Sequence, residues 1–600
     1  RNCIRPSYEC RSQASVKKIQ KEWEIIENKV LCQQFVDKVR REFGTITRDI
    51  IEQRQKSNGI SYETESTPQH KVLSVESPEE ETIIHALKRY AFANTNECTD
   101  KNVFFNILKP LGLSNRYSDA FAMLIQLGIL KGEDNYHKTK SEHDSAYFHP
   151  ISQELLDQVN KHLATSDTMN KSTHQTPTFL VHDKHDAGRE LITDPVFTID
   201  SLSTTEIDDG ISIDLETGWI GVHIADPTRL IPPHTDMDLL ARRRVTSIYL
   251  PEMSVSLFPA QLAETTMSIR SQIKSYALTF AAKLHPDGKI ADFRIFPSIL
   301  ANVNRTNYEE IDDVLQGRSS LPEASYNQCQ FTPQHMRSLQ ELYRLAKIRR
   351  EYRLSSGASM INIPKPFVTF QLDTNGRRKI ALELKDETAS QILVSEMMIL
   401  VGEITGNYAT THHLPVPFRV QKAPEIQDMS KYSHLDPLVQ SFQMLKFLTR
   451  AENSAFPDTH YAIGLPRYVR ASSPIRRYSD FMTHYQIKAN LAGQELPFSL
   501  NQVDSIVNQH NPVEEEIKML QRGSDLFWVR QYAAQQPEGM RFEAVVVDVN
   551  ESTNTVEVFV KQFAMSAKFK SVTKISLGEV IMVEIAQVTP QFLMFTQALN

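Results

Sequence analysis

Four carboxylates fall within ten residues in Asp200-Ser-Leu-Ser-Thr-Thr-Glu206-Ile-Asp208-Asp209, a density that few folds can hold. Val196-Phe-Thr-Ile199 before the run reads as a short buried strand. Ile211-Ser-Ile-Asp-Leu215 after it alternates apolar and polar residues, as a second strand does. Acids and small hydroxyl residues between two strands suit a loop at a sheet end. Like charges this close repel, so a folded chain keeps them together only with a compensating charge. Hard divalent cations supply one: Mg²⁺ takes oxygen ligands, keeps some water and is commonly shared between a few carboxylates and a substrate phosphate. A bare Asp-Asp pair is ordinarily a solvated turn. Four acids at the mouth of an apolar strand favour the metal.

A phosphodiester site built on cations also needs positive charge opposite the acids. Ser472-Ser-Pro-Ile-Arg476-Arg-Tyr-Ser-Asp480 meets that need. Ser473 suits a helix cap and Pro474 the first helical position. This predicts Arg476 on the first turn of a helix whose N–H groups and dipole attract phosphate. Alone, the segment is an ordinary surface helix start; its meaning comes from pairing with the acidic loop.

At 600 residues the chain is too long for one core and is expected to form several domains. Its net charge of -7 gives no overall attraction for nucleic acid, so any such site is a local basic surface or channel. Cys3, Cys10, Cys32, Cys98 and Cys329 are scattered without metal spacing. That fits a reducing, intracellular setting, either a bacterial-type cytoplasm or an organelle. No apolar run is long enough to span a bilayer; the best, Ile392 to Ile404, is broken by Glu396 and Glu403. The chain starts at Arg1 and not Met, which leaves room for an upstream segment, a targeting peptide included.

The expected architecture is multidomain α+β. Residues 1–70 read as a helical segment and linker, with apolar residues at helical spacing from Val16 to Phe43 in one long amphipathic helix or two. Residues 77–150 read as three short helices, starting near Ser77, Lys101 and Ser118, and a hairpin reaching to Tyr147. This is a winged-helix-like module, a class that serves nucleic-acid and protein contacts alike. Polar stretches at 56–76 and 163–177 read as linkers. Residues 178–530 show no good break. Strands dominate there to about residue 300, and helices follow at Pro333 to Tyr352, Glu387 to Tyr408, Pro437 to Leu448, Tyr478 to Leu491 and 512–536. Residues 538–600 read as short, evenly spaced strands, a small barrel of the oligonucleotide-binding (OB) type.

The acidic loop, His223-Ile-Ala-Asp226, Thr246-Ser-Ile-Tyr249-Leu-Pro251 and Ser473-Pro-Ile-Arg-Arg-Tyr478 occur in the order found in the ribonuclease II/ribonuclease R family. Residues 180 to 530 resemble its catalytic RNB domain. The C-terminal barrel stands where family members carry an RNA-binding OB domain. The N-terminal region departs from the two cold-shock barrels of the common bacterial members and resembles a cyanobacterial, plastid-like or Deinococcus-like branch. The resemblance implies a processive, Mg²⁺-dependent 3′→5′ exoribonuclease that degrades single-stranded RNA to nucleoside 5′-monophosphates. It implies metal-binding carboxylates at Asp200, Glu206, Asp208 and Asp209, with Glu206 in place of the usual Asp. It implies catalytic roles for Asp208, at the metal nearest the chemistry, and Arg476, at the scissile phosphate. It further implies a ribose-contacting pair, Tyr308 and Glu396, and Tyr249 packing on a base or sugar near the 3′ end. The family's second clamping aromatic is expected near Gly357 to Asn362, where none stands, so a weaker grip on short products is expected.

Plainer readings stand beside these. Tyr308 can simply begin a helix, and Tyr249 can be core. Glu396 lies in an otherwise apolar helix, where an unpaired charge is costly, so function or a buried ion pair would explain it. Strand-end packing accounts for His223 and turn hydrogen bonding for Asp226, while His412 and His413 read as loop residues. The expected chemistry is two-metal hydrolysis, with ions roughly 4 Å apart. The rival from another class is an RNA-binding protein on an inactive RNB scaffold; retention of Asp200, Asp208, Asp209 and Arg476 disfavours it. A further rival is an assembly subunit working through the N-terminal helices, whose protein partners the sequence does not name.

Overall fold

The computed structural model describes residues 21–44, 72–91, 101–130, 135, 137–138 and 151–168, then 183–318 and 331–598 apart from short gaps. The amphipathic stretch near the N-terminus forms two helices. One covers 21–27 and ends at Asn28, whose side chain accepts from the N–H groups of Val30 and Leu31 (3.1 and 3.3 Å) and so caps α1 (Lys29–Phe43). Ser77 caps α2 (Pro78–Ala91) by accepting from Glu80 N–H (3.2 Å). A short helix over Lys101–Val103 then runs into a π-helical turn over Phe104–Leu108, and α3 (Tyr117–Gln126) follows. Phe35, Leu87, Tyr90, Ile107 and Leu124 share one core among these helices. The expected wing falls almost entirely outside the described residues, as do most of the two expected linkers.

α4 (Gln153–Thr168) joins the central domain through Leu155 and Val159. The domain opens with β1 (Glu190–Ile192), β2 (Val196–Asp200), β3 (Asp209–Ile213) and β4 (Ile220–Ala225). α5 (Asp236–Arg244) and a ribbon of β5 (Ile248–Leu250) and β6 (Met253–Val255) come next, then β7 (Ser275–Leu284), β8 (Ile290–Leu300) and β9 (Val303–Asn307). Seven strands form one sheet in the order β1-β8-β7-β4-β3-β2-β9. The β1–β8 and β2–β9 pairs are parallel and the others antiparallel. β2 and β3 are neighbours, so the acidic connection between them stands at one end of the sheet. They approach so closely that a Cβ on Gly210 would lie 2.7 Å from Val196 Cγ1, so a larger residue there would have to displace the Val196 side chain.

Helices cover both faces. On one, α6 (Tyr308–Leu315), α7 (Pro333–Ser355) and α8 (Ala389–Thr411) pack Ile311, Leu342 and Met397 against Val222 and Phe280. Next come the hairpin of β10 (Pro366–Leu372) and β11 (Arg378–Leu384), then β12 (Phe418–Val420), α9 (Pro437–Leu445) and β13 (Glu452–Ser454). On the opposite face, α5, α10 (Tyr478–Leu491) and α11 (Leu500–Ala534) pack Met237, Phe481 and Val503 against Val196 and Ala277. The expected helix over 512–536 is one part of α11, which starts earlier and passes through Pro512. Ser499 and Gln502 form the capping box that fixes this earlier start.

β14 (Arg541–Asn550), β15 (Thr555–Val560), β16 (Met565–Lys570), β17 (Val580–Val588) and β18 (Leu593–Gln597) form a separate antiparallel sheet in the order β16-β15-β14-β17-β18. It curls until its edges approach, with Ser571 just past β16 donating to Gln597 on β18 (3.2 Å). Val546, Val558, Phe563 and Phe595 fill the interior of this barrel-like unit.

Candidate active site

Buried Ile207 anchors the acidic loop. Its N–H donates to Ser268 Oγ (2.9 Å) and its carbonyl accepts from Ile269 N–H (3.0 Å). The Asp208 carbonyl accepts from Ala225 N–H (2.7 Å), tying the loop to the end of β4. The Asp208 carboxylate is buried. Its Oδ1 accepts from Ile475 N–H (2.9 Å), 267 residues away in sequence, and its Oδ2 lies 3.2 Å from Arg476 Nε. Loop and arginine therefore meet. Burial, only partly offset by Arg476, pushes the Asp208 carboxyl up to about 7. Asp200 and Asp209 are a coupled pair held well above the usual carboxylate range. Burial acts first on both, then the Asp208 charge on Asp200 and the Asp200 charge on Asp209.

Arg476 does not lie on the first helical turn. Residues 474–476 form a turn, and α10 starts only at Tyr478, with Arg477 held extended before it (φ -135, ψ 121). Two interactions cause this. Arg477 forms an isolated antiparallel backbone bridge with Thr246, and the carboxylate of Asp480 takes the Ser473 N–H (3.0 Å). Ser473 is consequently no helix cap; its hydroxyl accepts from Arg476 Nη2 (2.9 Å).

Tyr249 is 41% exposed on the β5–β6 ribbon, so it is not core, and its hydroxyl donates to Glu206 Oε2 (3.0 Å). Tyr308 does begin α6, behind the capping box of Asn307 and Glu310. It directly follows Asn307, the register partner of Asp200 on β2, and its phenol is pushed up to about 12 by burial and then by the charges of Asp209 and Asp200. Glu396 is fully buried, and Arg353 of α7 takes both of its oxygens, one at 2.9 Å from Nε. The structure thus gathers Asp200, Glu206, Asp208, Asp209, Tyr249, Tyr308 and Arg476, and holds Glu396 in an ion pair.

The donor set is oxygen only and short of counter-charge. Glu206 Oε1 is buried with no hydrogen-bond partner, and buried Asp208 Oδ2 has the Arg476 ion pair but no well-aligned hydrogen bond. Both features suit a hard divalent cation. Among the described residues no three such side chains are already drawn around one point.

Residues 189–493 match the model of the RNB domain, and residues 52–136 that of a double HTH domain. The chain belongs to the RNB-domain ribonuclease II/R family. Its relatives include an uncharacterized ribonuclease of Synechocystis, 34% identical over 70% of this RNB chain and 59% of the relative. Another is a chloroplastic/mitochondrial ribonuclease II of Arabidopsis thaliana, 28% identical over 77% and 54%. The chain thus spans little more than half the length of these relatives. Its fold matches an active-site mutant of the Dss1 exoribonuclease from Candida glabrata, with a TM-score of 0.69, 20% identity and coverage of 91% of this chain and 71% of that one. It also matches yeast Ssd1, a pseudonuclease, with a TM-score of 0.51, 17% identity and coverage of 68% and 54%. Fold alone therefore does not decide activity in this RNB chain.

Sequence reasoning missed what holds the RNB site in place. Thr246 Oγ1 and Ser247 N–H both donate to the Arg476 carbonyl (2.9 Å each). Arg477 pairs with Asp480 at 2.6 Å; burial alone would raise that carboxyl, but Arg477 outweighs it and holds it at about 2. The three-residue spacing of Arg477 and Asp480 was the available signal. Asp226 does more than close a turn: it is buried between Arg189 and Lys488. His223 fits its packing role, buried between Ser212 (2.9 Å) and Thr279 (2.8 Å), with burial lowering its imidazole to about 3. Among the described residues no helix is long and apolar enough to cross a membrane.

Proposed function

We propose that this chain is a 3′→5′ exoribonuclease that hydrolyses single-stranded RNA processively to nucleoside 5′-monophosphates with Mg²⁺. The observation that supports this most is the meeting of the buried Asp208 carboxylate with Ile475 N–H and Arg476. Relatives named as ribonucleases support the substrate class. Asp200, Glu206, Asp208 and Asp209 would hold the metal. When bound, Mg²⁺ supplies an acidified water and charge stabilisation at the leaving 3′ oxygen.

The chain's own residues do the rest. Ile475 N–H orients Asp208. Arg476, its side chain 40% exposed, meets the scissile phosphate and offsets the charge that grows there. Thr246 and Ser247 fix the backbone from which that guanidinium extends, which is a positioning effect. The exposed ring of Tyr249 stacks on a base or sugar near the 3′ end, an interaction tolerant of sequence. The Tyr308 phenol stays protonated at neutral pH and offers a hydroxyl to the ribose 2′-OH, which favours RNA over DNA. Glu396 is left out of this set because Arg353 occupies it.

The competing possibility is a non-hydrolysing RNA-binding scaffold, as the pseudonuclease fold match illustrates. A time course on 5′-labelled and 3′-labelled single-stranded RNA, with Mg²⁺ or chelator, separates the two. Hydrolysis should release the 3′ label at once as mononucleotide, should shorten the 5′-labelled strand without populated intermediates, and should stop in chelator. Tight RNA binding without mononucleotide release in Mg²⁺ would favour the scaffold.

A further inference from the structure

Asn135 falls at the C-terminal end of the stretch that matches the double HTH domain, yet it is almost fully buried and bonded to residues of the central domain. Its Nδ2 donates to Glu252 Oε1 (2.6 Å) and to Ser524 Oγ (2.7 Å), and its Oδ1 accepts from His137 N–H (2.9 Å). Both amide hydrogens and the carbonyl are therefore used. Glu252 stands in the turn of the β5–β6 ribbon, and its other oxygen accepts from Trp528 Nε1 (2.8 Å). A Cβ on Gly523 would lie 2.2 Å from His137 Cε1, so the His137 ring sits flush against α11. The ribbon has a ladder of only three residue pairs, so outside contacts set its geometry: Ile248 and Leu250 pack on Ile517 and Leu520 of α11, and Asn135 joins Trp528 in holding Glu252 at the turn. Its first strand carries Tyr249, whose hydroxyl reaches Glu206 in the acidic loop.

We infer that Asn135 is a positioning residue for the RNA 3′ end: by pinning Glu252 it fixes the ribbon that presents Tyr249. The inference rests on the exoribonuclease reading for the identity of the ligand. Through this contact, the C-terminal end of the double HTH match sets the grip on the last nucleotides, and short RNA depends on it most.

Asn135→Asp places a carboxylate against Glu252. Adding Glu252→Gln restores one donor and one acceptor with their direction reversed, and Asn135→Ala is a milder single variant. Two readouts need no hydrolysis: hydrogen exchange over residues 248–255, and binding of short, labelled single-stranded RNA in chelator. Loss of a hydrogen bond to a charged group is worth about tenfold. Asn135→Asp should therefore speed ribbon exchange and raise the Kd for short RNA by about that factor, with Asn135→Ala between it and wild type. Exchange in β3 and β4 should stay unchanged. The double variant should return both values towards wild type. On a Tyr249→Ala background, Asn135→Asp should add little. In steady state KM for short RNA should rise while kcat on long RNA stays within about twofold, since no group at the phosphate moves.

Unchanged ribbon exchange, unchanged affinity for short RNA, failure of the double variant to restore either, or effects that multiply with Tyr249→Ala would each overturn the inference. Absence of hydrolysis by the wild type would instead sink the exoribonuclease reading and leave the exchange and binding results standing.

Discussion

Two carboxylate clusters flank the end of β4, and the protein neutralises one far more fully than the other. Asp226, just past the strand, accepts from Lys488 Nζ (2.8 Å) and Arg189 Nη2 (2.6 Å). Asp183 contacts the same two cations, and Asp186 takes Arg189 and Arg229 (2.9 Å each). Burial alone would raise Asp226; Lys488 and Arg189 outweigh it and hold its carboxyl well below the usual range. Asp208, tied to the same strand end by Ala225, has Arg476 as its close cation and sits near 7. A buried acid with its cations in place is a structural staple, here between β4 and α10. A buried group of acids without them is a site awaiting charge from outside.

The comparison breaks most visibly in activity. Asp208→Asn should lower release of 3′-terminal nucleotides by on the order of 10³-fold while RNA binding persists. Release from 3′-labelled RNA and a filter-binding assay check this, and strong cleavage would remove the acidic loop from the chemistry. The staple should answer differently. Asp226→Asn leaves Lys488 and Arg189 under-neutralised, and removing one partner of such a buried network costs about 3–5 kcal/mol of stability, measurable by urea unfolding.

The pH dependence has opposite signs in the two clusters. The folded value of Asp208, about 7, lies above its unfolded value, so its favourable contribution is present below about pH 4 and is lost as pH rises through 7. Asp226 is depressed, so its contribution is present above about pH 4 and is lost at lower pH. In chelator at neutral pH, Asp208→Asn should therefore be more stable than wild type, by about 1–3 kcal/mol. Thermal melts from pH 4 to 8 would show the two curves diverging upward; parallel curves would contradict the assignment. The smallest effect belongs to Tyr249→Phe. It removes one partly exposed hydrogen bond to Glu206, worth about 1 kcal/mol or less, and should change KM only a few-fold because the ring remains.

Local pattern made much of this legible. The apolar runs around 196–199 and 211–215 placed the acids at a sheet end, and three of the four acids lie beside Arg476 or beside one another electrostatically. Long-range pairing was not legible. The Thr246–Arg477 bridge delays α10 past Arg476, and the sequence around 476 carries no trace of it. The helix expected over 512–536 begins instead at Leu500, because the capping box at Ser499 and packing on the sheet carry α11 through Pro512. By contrast β16, Met565-Ser-Ala-Lys-Phe-Lys570, alternates apolar and polar residues along its whole length, so its strand character is legible locally and only its pairing with β15 is not. The partner of Glu396 lies on another helix, at Arg353, so charge in an apolar helix pointed equally to function and to an ion pair.

The most direct test is thermal unfolding of the wild type, Asp208→Asn and Asp226→Asn, each in Mg²⁺ and in chelator. If the loop acids take an outside cation, Mg²⁺ raises the Tm of the wild type, raises that of Asp226→Asn by a similar increment from a lower start, and leaves Asp208→Asn almost unmoved. An equal Mg²⁺ increment in Asp208→Asn, or none in the wild type, would show that the acidic loop is not the cation site.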